Sequence, residues 1–325
     1  MLSRVADSIY WMSRYIERAE NVARFVDVNQ HLMLDLPSGI PPQWVPLVEI
    51  TGDADRFWST YSAADQAEVC WFLTFDAENP NSILSCLRAA RENARSIRET
   101  LSSDLWLEVN ELYLYVEHQA VHSKSSLDYF LRHITRACHA IEGAAYSTLS
   151  FGEAWHFSRI GRMIERADKT TRVLDIRYFT VPSSAGDDGG RTEDLHWTAV
   201  LRSVSALEMY RKKHGMVRMS RAAEFLVLDP VFPRSVRNCV RRSDASLHAI
   251  TGSASGTFGN EAERQLGRLA SDLAYTAIDE VIDAGFHEYL DAVQVKLNRI
   301  SNALHESFFA PRLHSHRRSL EDGVE

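Results

Sequence analysis

Tyr15-Ile16-Glu17-Arg18-Ala19-Glu20-Asn21-Val22-Ala23-Arg24-Phe25-Val26-Asp27-Val28 returns later in the chain as Met163-Ile164-Glu165-Arg166-Ala167-Asp168-Lys169-Thr170-Thr171-Arg172-Val173-Leu174-Asp175-Ile176. The two stretches align without a gap at an offset of 148 residues, and Arg14 meets Arg162 at the same offset. An internal repeat changes the reading of a whole fold, so it is the first feature to settle. On a helical wheel Ile16, Ala19, Val22, Ala23 and Val26 share one face. Arg14, Glu17, Arg18, Glu20, Asn21, Arg24 and Asp27 fall on the opposite half, as do Arg162, Glu165, Arg166, Asp168, Arg172 and Asp175 in the second copy. Between copies the apolar face drifts, with Thr170 and Thr171 in place of Val22 and Ala23, while the charged face keeps its signs.

A solvated face needs only polarity. Retained charge identities therefore point to side chains that touch something specific. Glu20–Arg24 and Asp168–Arg172 have the favourable i,i+4 order, and Arg14–Glu17 and Arg162–Glu165 stand at i,i+3, but each such pair contributes only about 0.2–0.5 kcal/mol on an exposed helix. Three readings follow. The first is a buried or half-buried ionic network between the two copies, which would fix a unique packing more than it would stabilise. The second is a ligand- or partner-binding face made of Arg14, Glu17, Arg18, Glu20, Arg24, Arg162, Glu165, Arg166, Asp168 and Arg172. The third is an ordinary solvated surface.

The opening Met1-Leu2-Ser3-Arg4-Val5-Ala6-Asp7-Ser8-Ile9-Tyr10-Trp11-Met12-Ser13 that leads into the first copy, and Phe151-Gly152-Glu153-Ala154-Trp155-His156-Phe157-Ser158-Arg159-Ile160-Gly161 before the second, resemble the bacterial alpha-E family. That family is an all-helical domain named for its Glu-Arg motif. The resemblance covers essentially the whole chain, and the motif stands at both expected places. It implies a neighbourhood rather than a reaction: such proteins typically occur beside, or fused to, circularly permuted ATP-grasp ligases and transglutaminase-like proteins, in systems that make or modify peptide bonds. An ATP-grasp-type ligase or a transglutaminase-like protein is therefore the expected partner, with a peptide as the shared substrate.

A second matching segment strengthens the repeat. Phe72, Asp76, Pro80, Ser82, Cys86 and Arg88 meet Phe225, Asp229, Pro233, Ser235, Cys239 and Arg241 at an offset of 153. The offset grows by five residues across the Gly-rich stretch at 182–194. The expected architecture is all-α: about twelve helices in two tandem halves, residues 1–149 and 150–310, related by a pseudo-twofold axis near which the two Glu-Arg helices lie. Residues 311–325 read as a disordered tail. Helices are expected over 3–35, 44–61, 65–73, 80–101, 103–122 and 125–147, then 151–179, 195–213, 259–283 and 286–309. Asn79 is the expected N-cap of the fourth, with Pro80 at its first position.

Composition bounds the function. A chain of 325 residues can remove about 75% of its unfolded surface from water. The net charge of −8 argues against a general nucleic-acid binder. Only Lys124, Lys169, Lys212, Lys213 and Lys296 are lysines, so nearly all of the 36 basic residues are arginine, whose planar fork grips carboxylates and phosphates. Cys70, Cys86, Cys138 and Cys239 lack paired spacing and read as reduced core thiols. No apolar run reaches the length of a membrane span, and a cytoplasmic protein is expected.

Chemical motifs are few. Arg88, Arg91, Arg95 and Arg98 recur at helical spacing and form a secondary anion-binding candidate, though Glu92 and Glu99 offer them ordinary i,i+4 partners. His118 and His122 stand at i,i+4 without the zinc-binding H-E-x-x-H pattern. No phosphate loop, dinucleotide fingerprint or nucleophile elbow is present, so neither metal nor cofactor is expected. Glu17 and Glu165 are the candidate catalytic pair, since two neighbouring carboxyls can split their pKa values, but Arg18 and Arg166 beside them favour the ionised state. The leading expectation is a non-catalytic helical partner of an amide ligase. An enzyme acting on peptide or amide bonds through the Glu-Arg cluster is the alternative, and a structural homo-oligomer the third.

Overall fold

Two long helices run against each other through the middle of a computed structural model that describes residues 1–35, 43–122, 126–180 and 189–310. α1 (Ser3–Asp35) and α8 (Glu153–Thr180) carry the two copies of the Glu-Arg stretch. α5 (Ile83–Ser96) and α7 (Leu127–Thr148) pack on α1, with α6 (Ser103–His122) laid over both. α12 (Val236–Thr251) and α15 (Phe286–Leu304) pack on α8, with α13 (Glu261–Tyr275) laid over them. Short helices cross between the two sets: α2 (Val45–Thr51) reaches α8, and α9 (Gly189–Ser203) reaches α1. One apolar core, running from Ile9 and Phe72 to Leu290 and Ile300, joins both sets into a single body.

Gly161 fixes how closely the central helices approach. A Cβ at that position would stand 2.4 Å from the Tyr10 carbonyl oxygen of α1. Only glycine lets the two backbones touch there, as small residues do wherever helices cross tightly.

The described residues are all-α, as the periodicity predicts, but form fifteen α-helices instead of about twelve. Each extra break sits at a local departure of the backbone from helical geometry. The expected 44–61 helix stops at Gly52, left-handed at φ 82°, and resumes as α3 (Ala54–Thr60). The expected 195–213 helix breaks at Ser205, at φ 51°, into α9 and α10 (Leu207–His214). The 259–283 helix turns extended at Thr276 and Ala277 and resumes as α14 (Ile278–Ala284). α4 (Gln66–Thr74) and α11 (Met219–Leu228) complete the set, and α15 ends in one π-helical turn over His305–Phe309.

The cap of α5 is Ser82, not Asn79. Ser82 Oγ accepts from the Ser85 backbone N–H at 3.1 Å, and its counterpart Ser235 accepts from Asn238 at 3.2 Å. Asn79 instead closes the turn before the helix, accepting from the Asn81 N–H and donating to the Phe72 carbonyl. Of the Gly-rich stretch at 182–194, expected as a loop, the residues up to 188 lie outside the described residues and the rest is the start of α9, so the helix begins earlier than expected; the tail at 311–325 also lies outside the described residues.

Candidate functional site

The charged faces of α1 and α8 meet in the interior. Glu17, Glu20, Glu165 and Asp168 are buried, with Arg14 and Arg166 beside them, so the solvated reading does not hold for these side chains. Each Glu-Arg dipeptide grips the glutamate of the other copy. Arg166 donates from Nε and Nη2 to the two oxygens of Glu17 at 2.8 and 2.7 Å. Arg18 donates from Nε and Nη2 to the two oxygens of Glu165 at 2.7 and 3.0 Å. This fork-to-fork geometry is the strongest form of charge-assisted hydrogen bond. The local i,i+3 pairs expected for Arg14 and Arg162 give way to partners on other helices: Arg14 bonds Glu165 at 2.8 Å, and Arg162 bonds Glu142 of α7 at 3.2 Å. The two i,i+4 pairs do form, Arg24 with Glu20 and Arg172 with Asp168.

The ring is completed by a residue the repeat pattern passes over. Arg234, in the turn before α12, is buried and donates to Glu17 at 2.9 Å, to Asn21 at 3.1 Å and to Glu20 at 2.5 Å. Its counterpart at the 153-residue offset is Asn81, which accepts from Arg18 at 2.7 Å. The signal in the sequence was that single asparagine-to-arginine difference inside an otherwise matched Pro-x-Ser turn. Lys169, in the place of Asn21, lies 3.8 Å from Glu165 and 3.4 Å from Asp168. His139 of α7 meets Glu20 at 3.1 Å.

Electrostatics fixes the charge states. Burial alone would raise the Glu165 carboxyl, but Arg18, then Arg14 and Lys169, hold it well below the ordinary range. Glu20 is held low in the same way, burial being overcome by Arg234, by the bond from His139 and by Arg24. The Arg166 guanidinium is more firmly protonated than usual, its burial outweighed first by Glu17. The cavity that reaches Glu17 and Glu20 measures about 30 Å³, which admits water but no peptide.

The remaining candidates fall elsewhere. Arg88, Arg91 and Arg95 lie on α5, while Arg98 follows in a 3-10 turn, so the four do not form one helical row. Arg91 bonds Asn110 and Glu92, Arg95 bonds Glu92, and Arg98 stacks on Trp106 at 5.2 Å. Arg91, Arg95 and Arg98 thus meet side chains of α5 and α6, away from the central network. The His118 and His122 rings stack on each other at the exposed end of α6.

An all-helical chain with paired Glu-Arg helices has a match among known families: residues 1–309 fit the model of a predicted alpha-helical domain with a conserved ER motif. The chain belongs to the Alpha-E family. An uncharacterized protein of Mycobacterium bovis and two of Mycobacterium tuberculosis strains are each 26% identical to it over 94% of this chain. The match covers 35% of those proteins, so this Alpha-E chain spans about a third of the length of its curated relatives. No solved structure matches. No described helix is long and apolar enough to cross a membrane. In this Alpha-E chain the ER motif is thus a pair of mutually bonded dipeptides, buried but for the partly exposed Arg18.

Proposed function

We propose that this chain is a non-catalytic helical accessory protein of an ATP-grasp-type amide (peptide) ligase system, docking onto the ligase, or onto a transglutaminase-like protein of the same system, and helping present its peptide substrate. The observation that carries this reading is the saturation of both motif glutamates by cations from other elements of the fold. A general acid or base needs a carboxyl that exchanges its proton near the working pH and reaches the substrate. Glu165 is buried and held ionised, and the space at Glu17 admits no peptide.

The relatives add support, because in them the matching region is one part of a chain about three times as long. A helical unit carried within a larger protein fits a docking role. The reading of residues 1–149 and 150–310 as tandem homologous halves belongs to the same proposal and draws on the reciprocal Arg18–Glu165 and Arg166–Glu17 grips. So does a cytoplasmic location, which four buried, unpaired cysteines favour.

The test is reconstitution with a cognate ATP-grasp ligase, reading complex formation by size-exclusion chromatography and ATP-dependent product by mass spectrometry. The expected result is a stable complex, a higher ligation yield, and no turnover of peptides or amides by this chain alone. Turnover by the chain alone would establish the enzyme reading instead. A ligase that neither binds nor responds removes the accessory role.

A further inference from the structure

Beside the glutamate-arginine network, between α7 and the first turns of α8, lies a cleft of about 410 Å³. Its floor is cationic. Arg159 and Arg162 line it, and among the described residues no carboxylate pairs with Arg159. After burial, the influences on Arg159 are the guanidinium groups of Arg242, Arg162 and Arg241, and together they push its pKa below the usual arginine range. Arg162 reaches Glu142 through one terminal nitrogen at 3.2 Å, while its Nε is buried with no hydrogen-bond partner. Burial also lowers the pKa of Arg162, although Glu142 opposes the shift. Both guanidinium groups are partly exposed to the cleft, and Glu142 is the one carboxylate among the described residues that pairs with either, so an anion seated between them would meet donors that the fold leaves unused.

The network behind the cleft adds to the field. It brings together five carboxylates (Glu17, Glu20, Glu142, Glu165, Asp168) with seven arginines and Lys169, in a chain whose net charge is −8. The first copy has no such arrangement: Trp11 stands at the position of Arg159 and lies 5.1 Å under the Arg14 guanidinium. Packing of the paired helices therefore does not demand an arginine at 159.

The walls select the ligand. Arg159 stacks on Trp155 at 5.1 Å, and the lining residues Tyr146 and Trp155 are linked by ring contacts through Phe151, which lies just outside the cleft, at 5.5 and 4.8 Å. Tyr146 and Phe151 are exposed aromatic surface, suited to an organic body rather than a bare inorganic ion. Glu142 lines the same cleft, and its carboxyl is held below the ordinary range: burial opposes this, and Arg162 and Arg166 prevail. A fixed negative charge there repels a dianion more than a monoanion. Guanidinium forks bind carboxylates in bidentate fashion, and a cleft of this size takes one or two residues of a peptide.

We propose that the α7–α8 cleft binds an organic carboxylate, the C-terminus of a peptide ending in an aromatic or large aliphatic residue, with Arg159 and Arg162 on the carboxylate and Trp155 and Tyr146 against the side chain. This goes beyond the accessory reading and does not depend on it, because the binding test uses this chain alone. Calorimetric titration with N-acetyl-Ala-Phe as the free acid, as its C-terminal amide, and with inorganic phosphate separates the chemistries. The free acid should bind, the amide roughly tenfold or more weaker, as expected for loss of charge-assisted bonds. Arg159→Met should weaken the acid by a similar factor while leaving the melting temperature unchanged, since Arg159 holds no carboxylate of the fold; Arg95→Met on α5 should leave binding intact. Equal binding of acid and amide, no binding of the acid at millimolar concentration, full affinity in Arg159→Met, or phosphate binding more tightly than the acid would each overturn the proposal.

Discussion

Replacing Glu165 by glutamine keeps the side chain's shape and removes one charge. Glu165 is fully buried, bonded by Arg14 at 2.8 Å and by Arg18 at 2.7 and 3.0 Å, with Lys169 at 3.8 Å. A neutral amide there leaves three cations in the interior without their shared counter-charge. Breaking one side of a buried ionic group typically costs about 3–5 kcal/mol. For a chain of this size each kcal/mol lowers the melting temperature by roughly 2 °C, so Glu165→Gln should melt about 6–10 °C below wild type at pH 7. The pH dependence identifies the cause. The carboxyl's pKa is held well below its unfolded value of about 4.3, so its stabilisation is complete above that pH and is lost as the pH falls through the depressed folded value. The gap between wild type and variant should therefore stay constant from pH 7 to about pH 4.5 and shrink below it. Thermal melts followed by circular dichroism across that range measure both. A drop under about 2 °C at pH 7, or a gap that does not close in acid, would refute the argument that charge compensation holds α1 to α8.

Gly161→Ala should lower stability by about 1–3 kcal/mol despite alanine's higher helix propensity, because the new Cβ meets the Tyr10 backbone and the helices must part; urea melts give the value directly. Arg234→Asn, which copies the first half's Asn81, should cost about 3–5 kcal/mol by leaving Glu17 and Glu20 short of a shared cation, and a melting temperature close to wild type would contradict it. Cys86 and Cys239, buried and with burial raising both thiols to about 12, should resist a disulfide reagent at pH 8 until denaturant unfolds the chain. Reaction of either before global unfolding, read by mass spectrometry, would place it nearer the surface than this fold does.

Much of the helical layout was legible in the sequence because it depends on local chemistry. The 3–35 helix, the short helix starting near residue 65 and the break between the expected 80–101 and 103–122 helices all appear where side-chain spacing and backbone preference place them. The misplaced cap at Asn79 shows the limit of local reasoning: Asn79 and Ser82 are both good capping residues, and the turn geometry assigns the role to Ser82. The extra breaks at Ser205 and Thr276 likewise have no composition signal, since neither is a glycine or proline.

The sequence by itself determined that α1 and α8 carry matching faces of fixed charge sign. Only the tertiary structure decided that those faces look inward, that Arg18 reaches Glu165 and not a neighbour on its own helix, and that Arg234 closes the ring from 217 residues away. Periodicity reports how a helix would sort its side chains between oil and water. It cannot report what lies opposite, and a charged face becomes an interior face when a second helix brings the complementary charges to bond it.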